Sequence, residues 1–131
     1  MSTKAQVIAT VAAWDESAYD EADGLPKLSK ASIKYTYEGE ITGESAAELV
    51  MAYVGEGAEY VGLERVSGTI AGRSGTFVTS GVGAFKDGVA SSTWRIVEGS
   101  GTGDLAGIRG SGTFEAPAGN KATLNFEYEL D

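Results

Sequence analysis

The residues best suited to chemistry in this chain are carboxylates, because it contains no His and no Cys. That removes the commonest general base and the commonest transition-metal ligand. It excludes Ser-His-Asp and Cys-His catalysis, and zinc rarely accepts a site made of carboxylates alone. Glu64 stands out among them. It lies in the strand-like run Val61-Gly62-Leu63-Glu64-Arg65 and shares a face with Tyr60 and Val66. Inside a mostly apolar barrel such a carboxylate is poorly solvated, so its pKa rises and its basicity with it. The chemistry implied is proton abstraction from carbon, as in an isomerase, a cyclase or a Kemp-elimination-type lyase. Trp94 and Tyr60 offer flat surfaces for a planar substrate, and Gly81 and Gly83 leave room for it. The competing structural reading pairs Glu64 with an interior Arg, or turns it to water, because charged side chains are rarely buried alone.

Such a site needs walls, and the sequence supplies strands. Ile33, Tyr35 and Tyr37 alternate with Lys34, Thr36 and Glu38, and Leu124, Phe126 and Tyr128 alternate with Asn125, Glu127 and Glu129. Period-two alternation marks half-buried strands. The best helical candidate, Glu44 to Met51, lacks a helical spacing of apolar residues. Turn signals at Glu56-Gly57, Gly72-Arg73 and Asp87-Gly88 suit two-residue hairpins, with a looser turn at Gly43 to Ser45. Successive hairpins describe a meander, and a meander of about eight strands closes into a barrel to remove its edges. The predicted fold is therefore all-β, a closed eight-stranded antiparallel meander barrel of calycin-like type, forming a single domain over residues 1–131.

Turn positions set the register. The turns named above place Leu49, Glu64, Gly81 and Trp94 in one row across the sheet, and Met51, Gly62, Gly83 and Ser92 in the next. The same face carries Tyr53, Tyr60, Val66, Phe77, Phe85 and Ile96, and its aromatic content assigns it to the interior. Candidate substrate-binding residues are thus Trp94, Tyr60, Tyr37, Tyr53, Leu49, Met51, Phe77, Gly81 and Gly83. The tyrosines Tyr35, Tyr37, Tyr53 and Tyr128 offer hydroxyls to a ligand, although core packing is their default role. On the opposite face Val50, Leu63 and Val82 form an apolar row, with Val61 and Val78 nearby. That row suggests a homo-oligomeric interface, against the plainer reading of scattered surface hydrophobes.

Other features read as structural. Arg65 points outward beside an inward Glu64, and Arg109 ties down loop carbonyls. The glycine-rich run at 99–103 lacks the Lys-Ser/Thr ending of a phosphate loop and is a tight connection at the barrel rim. Trp14 is placed to cap the barrel mouth or to pack at its rim. The acidic stretch Asp15 to Asp23 lacks EF-hand spacing and reads as a solvated loop.

Composition bounds the partners. The chain has 131 residues, 19 Gly against 2 Pro, and a net charge of −9. Interior glycines in strands suit bends and bulges in a curved sheet. The negative charge opposes binding to nucleic acid or to an anionic membrane surface. No apolar run is long enough for a transmembrane helix, and Met1-Ser2-Thr3-Lys4 does not open a signal peptide. The expectation is a cytoplasmic protein with no cofactor and no metal, whose partner is a small apolar or aromatic molecule.

The segment Gly99-Ser100-Gly101-Thr102-Gly103-Asp104-Leu105-Ala106-Gly107-Ile108-Arg109-Gly110 resembles the glycine-rich segment shared by allene oxide cyclases and dirigent proteins. Trp14-Asp15-Glu16, Leu49-Val50-Met51-Ala52-Tyr53, Val61-Gly62-Leu63-Glu64-Arg65 and Gly72-Arg73-Ser74-Gly75-Thr76-Phe77 look like the bacterial DUF3224 family. The resemblance runs nearly end to end. It implies an eight-stranded barrel of the allene-oxide-cyclase type and no settled activity; a pocket for a lipid-like molecule follows by analogy alone. One departure is clear. Where the family pattern often has Gln-His-Ser-Gly, this chain has Ser80-Gly81-Val82-Gly83, so an imidazole is replaced by space at Gly81. That marks the chain as a natural outlier or an engineered variant.

Three functions remain open at this point. The barrel is a cofactor-free lyase, isomerase or cyclase with Glu64 as general base, a non-catalytic binder of apolar ligands, or a structural barrel filled by its own side chains. An open cavity with an unpaired Glu64 favours the first, a salt-bridged Glu64 the second, and a filled interior the third.

Overall fold

A computed structural model describes residues 2–117 and 119–130. Eight strands follow one another around a closed antiparallel barrel, each paired with its sequence neighbours and the last with the first. They are β1 (Thr3–Asp20), β2 (Leu28–Gly39), β3 (Ile41–Val54), β4 (Gly57–Ile70), β5 (Arg73–Lys86), β6 (Val89–Ile96), β7 (Arg109–Ala116) and β8 (Lys121–Glu129). The predicted meander is the observed topology. The doubtful helix at Glu44 to Met51 lies wholly within β3, as its lack of helical spacing required. No helix of the described residues is long and apolar enough to cross a membrane.

Period-two alternation builds the core. Ala31, Ile33, Tyr35 and Tyr37 of β2 and Ala122, Leu124, Phe126 and Tyr128 of β8 are buried, while the residues between them face outward. Three turns differ from the sequence reading. The β4–β5 hairpin turns at Ala71-Gly72, both at positive φ (52° and 78°), as a type I′ turn requires. The β3–β4 hairpin turns at Gly55-Glu56, with the positive φ (59°) at Gly55. Gly43 to Ser45 is no turn but part of β3, and the chain reverses after Gly39 (φ 112°). The turn at Asp87-Gly88 is as predicted.

The two displaced hairpins move strand partners by two residues. The rows across the sheet are therefore Ala47, Glu64, Thr79 and Ile96, then Leu49, Gly62, Gly81 and Trp94, then Met51, Tyr60, Gly83 and Ser92. Glu64 faces Thr79, not Gly81, across the ladder. Because side chains alternate with period two, a shift of two keeps every residue on its assigned face. The outer apolar row is likewise re-registered to Val50, Val61 and Val82; all three are exposed, as is Leu63.

The segment between β6 and β7 closes one end of the barrel. It runs beside β5, held by Val97 N–H to the Val78 carbonyl (2.8 Å) and Thr102 N–H to the Thr76 carbonyl (2.8 Å). A single 3-10 turn over Gly103–Leu105 then drops Leu105 and Ile108 into the core, where they are 1% and 0% exposed. The glycine-rich run is thus a tight connection, as read from sequence. Arg109 departs from expectation: its guanidinium holds the Glu129 carboxylate of β8 at 2.9 Å and is half exposed.

Candidate functional site

The inner walls do not meet at the axis. They enclose a cavity of about 610 Å³, lined chiefly by apolar and aromatic side chains. Glycines at Gly62 and Gly81 thin the wall beside Trp94. Leu105 and Ile108 are packed beneath and do not reach the cavity, whereas Phe85, Gly88, Ala90 and Pro117 line it at the opposite end. One end is therefore plugged and the other is the mouth.

Glu64 lies deep in this space. Its neighbours Leu63 and Arg65 are exposed on the outer face, so the alternation of β4 turns its carboxylate inward. The Oε2 atom accepts two hydrogen bonds, from Ser45 Oγ (2.5 Å) on β3 and from Tyr37 OH on β2. The Oε1 atom receives no hydrogen bond from any described residue, and it is not sealed from the cavity. No salt bridge reaches Glu64 among the described residues, where the ion pairs are Lys4–Glu127 and Arg109–Glu129 on the outer surface. Burial pushes the Glu64 carboxyl above its usual range, and the bonds from Ser45 and Tyr37 pull against that without cancelling it. The carboxylate in turn raises both tyrosines nearest it. Burial first and the Glu64 charge second hold the Tyr37 and Tyr35 hydroxyls well above the usual phenol range.

Around Glu64 stand most of the residues singled out from the sequence. Trp94, Tyr60, Tyr37, Tyr53, Leu49, Met51, Phe77 and Gly81 all line the cavity. Trp94 packs on Phe126 with ring centroids 5.4 Å apart, and its Nε1 is buried without a partner. Gly83 is the exception. It occupies the inner face, but the Tyr60 ring lies over it, and a Cβ there would stand 2.7 Å from Tyr60 Cζ. The room at Gly83 belongs to Tyr60 rather than to a ligand. Gly81 differs, since a Cβ there would meet Thr93 O at 3.1 Å and Trp94 Cβ at 3.2 Å.

A second polar cluster, not assembled from sequence, sits at the cavity's edge. The pairing of β1 with β2 slips between Val11 and Ala13, a bulge that adds one residue to β1. Before it the odd residues Val7 and Ala9 face the core; after it the even residues Trp14 and Glu16 pair with the inward Ile33 and Ala31. Glu16, read as part of a solvated acidic loop, is therefore a strand residue turned inward. Its Oε2 accepts from Ser29 Oγ (2.7 Å) and Tyr53 OH, and its Oε1 from Trp14 Nε1 (3.1 Å). Lys27 Nζ lies 4.5 Å from the centroid of the Tyr53 ring. Burial would raise the Glu16 carboxyl, but the bonds from Tyr53, Ser29 and Trp14, with the Lys27 charge, bring it below the usual range. Glu16 and Glu64 thus share one design, a Tyr and a Ser hydroxyl on one carboxylate oxygen, with opposite outcomes. The difference is depth, together with the third donor at Glu16.

No group of carboxylates among the described residues is arranged to hold a metal ion.

The comparisons with known proteins agree with this architecture. The chain matches the family model described as a protein of unknown function, DUF3224, over residues 5–128. It is similar to the crystal structure of a DUF3224 protein of unknown function from Shewanella oneidensis MR-1, with a TM-score of 0.83 and 26% identity over 100% of this chain and 99% of that one. No curated protein matches the chain. With its motifs, its barrel and a family match from Ala5 to Tyr128, the chain belongs to the DUF3224 family.

Proposed function

We propose that this barrel binds a small, largely apolar molecule and acts on it as a cofactor-independent general base, with Glu64 as proton acceptor. The observation that carries this reading is the unequal treatment of the two Glu64 oxygens. Oε2 is fixed by Tyr37 and Ser45, and Oε1 is left to the cavity. A base needs a held carboxylate and a free lone pair within reach of a bound C–H. Desolvation strengthens such a base, because the ionised form is poorly stabilised until it takes a proton. Trp94 and Tyr60 are the surfaces against which a planar substrate would lie. Tyr37 and Ser45 are positioning residues, since they hold Glu64 and not the substrate.

A filled structural barrel is disfavoured by the free volume beside Glu64, and a passive binder by the lack of a salt bridge to it among the described residues. The test is ring opening of 5-nitrobenzisoxazole, in which a base removes the C3 proton. The C–H electron pair then forms the nitrile as the N–O bond breaks to a phenolate. Wild type should accelerate the reaction, and Glu64→Gln should lose about 10²–10⁴-fold of that rate. Equal, near-background rates for both proteins would overturn the reading.

A further inference from the structure

We infer that the cavity selects an organic cation, an apolar body carrying an ammonium or amidinium group whose charge lies against Glu64 Oε1. The inference goes beyond the function proposed above: a cation seated on Oε1 occupies the lone pair the base would use, so such a ligand competes with substrate for the same carboxylate and should inhibit ring opening.

Electrostatics is the first argument. Glu64 is a carboxylate inside the barrel with no Lys or Arg paired to it among the described residues. An isolated buried charge is costly, and one partner removed from a buried pair leaves that cost exposed. Here the protein provides two neutral donors on one oxygen and stops. A neutral ligand donor on Oε1 would recover part of the lost hydration, and a cation would recover more, because charge-assisted hydrogen bonds are roughly twice as strong. An anionic ligand would meet Glu64 with no Lys or Arg paired to it among the described residues, so that class is disfavoured at the deep end.

The walls make the second argument. Tyr35, Tyr37, Tyr60, Phe77, Trp94 and Phe126 all line the space around Glu64. Aromatic rings carry negative π faces and attract desolvated cations, and cages of several rings are a recurrent way of holding ammonium groups. The third argument is the approach. A second carboxylate, Glu16, stands at the cavity's edge, bonded to the lining residues Trp14 and Tyr53, and is held ionised by its donors. The chain as a whole carries a net charge of −9, so its field draws cations towards the mouth.

Benzamidine and benzamide make the test, since they have nearly the same shape and differ in charge. Binding is measured by titration calorimetry at mildly alkaline pH for wild type, Glu64→Gln and Glu16→Gln. Thermal unfolding confirms that each variant is folded. Wild type is expected to bind benzamidine at least about tenfold more tightly than benzamide. Glu64→Gln should erase that preference, and Glu16→Gln should preserve it at the deep site while slowing association. Equal affinity for the two probes in wild type, or a preference that survives Glu64→Gln, would overturn the inference. The ring-opening assay keeps the two readings apart. Glu64-dependent ring opening without benzamidine preference would sink the cation inference alone. Benzamidine preference without ring opening would sink the general-base reading alone.

Discussion

Tyr37 donates its phenolic hydrogen to Glu64 Oε2 from two strands away, across the residue that also donates to that oxygen, Ser45. Both donors favour the ionised carboxylate, and they are what keeps burial from raising Glu64 further. Tyr37→Phe removes one of them without adding bulk. The Glu64 pKa then rises above its wild-type value. A general base works only when ionised, so activity disappears as pH falls through that pKa. The acid limb of the ring-opening pH profile is therefore expected to move to higher pH, with the alkaline plateau within about tenfold of wild type. Ser45→Ala should move the limb in the same direction. An unmoved limb in a folded Tyr37→Phe protein would remove Tyr37 from its positioning role.

The same carboxylate fixes a dependence of stability on pH. Burial raises the folded-state pKa of Glu64 above the unfolded value, so the folded protein holds the proton more tightly than the unfolded chain does. That contribution is fully present below the unfolded pKa, near the ordinary carboxylate value of 4.5, and is lost as pH rises through the folded pKa. Glu64→Gln keeps the shape and is neutral at every pH. Its melting temperature should exceed that of wild type above the folded pKa of Glu64, and the two should converge in acid. A variant less stable than wild type at alkaline pH would mean that the carboxylate is better solvated than its surroundings indicate.

The glycines of the inner face sort into two kinds. At Gly62 a Cβ would run into the Glu48 carbonyl and stand 2.5 Å from Leu49 Cδ2, and at Gly112 it would stand 2.8 Å from Trp94 Cζ2. At Gly81 the nearest atoms are beyond 3 Å. Ala should therefore be tolerated at 81, within about 1 kcal/mol, and should cost about 1–3 kcal/mol at 62 or 112 through overpacking. Chemical denaturation of the three variants measures this directly. A Gly81→Ala variant as unstable as Gly62→Ala would show that the wall at Gly81 is already filled.

Much of this architecture was legible because two signals reinforce each other. Alternation marks the strands, and Asp87-Gly88 marks a type I′ hairpin, so the pairing of Gly81 with Trp94 follows from sequence alone. The β4–β5 turn did not follow. Gly72-Arg73 looks like the turn because glycine accepts positive φ freely, yet the strand ladders bring Ala71 to φ 52° instead. The slip of two residues cost the row but not the face, and so Glu64 stayed an interior candidate. The bulge between Val11 and Ala13 has no such signature in Thr10-Val11-Ala12-Ala13. Without it, alternation continued from Val7 and Ala9 places Trp14 and Glu16 on the outer face, and the cluster with Ser29 and Tyr53 is invisible. Tyr37 and Ser45 were legible only as inward residues; their meeting on one oxygen depends on three strands at once.

Glu16 provides the last prediction. Its carboxylate ties β1 (Trp14), β2 (Ser29) and β3 (Tyr53) together at the edge of the cavity. Glu16→Ala deletes the acceptor of three hydrogen bonds, two of them from residues that line the cavity. The site is partly open to water, which replaces some of what is lost, so the cost should be about 1–2 kcal/mol rather than that of a fully buried charge. The sign with pH is opposite to that of Glu64. The folded pKa of Glu16 lies below the unfolded value, so its contribution is present above the unfolded pKa and is lost as pH falls through the folded one. The gap in stability between wild type and Glu16→Ala should therefore be widest near neutrality and close in acid. Trp14 supplies a second readout, because its indole N–H loses its acceptor and its emission should change in the variant. A stability gap that widens in acid, with Trp14 emission unaltered, would show that Glu16 does not hold this edge of the barrel together.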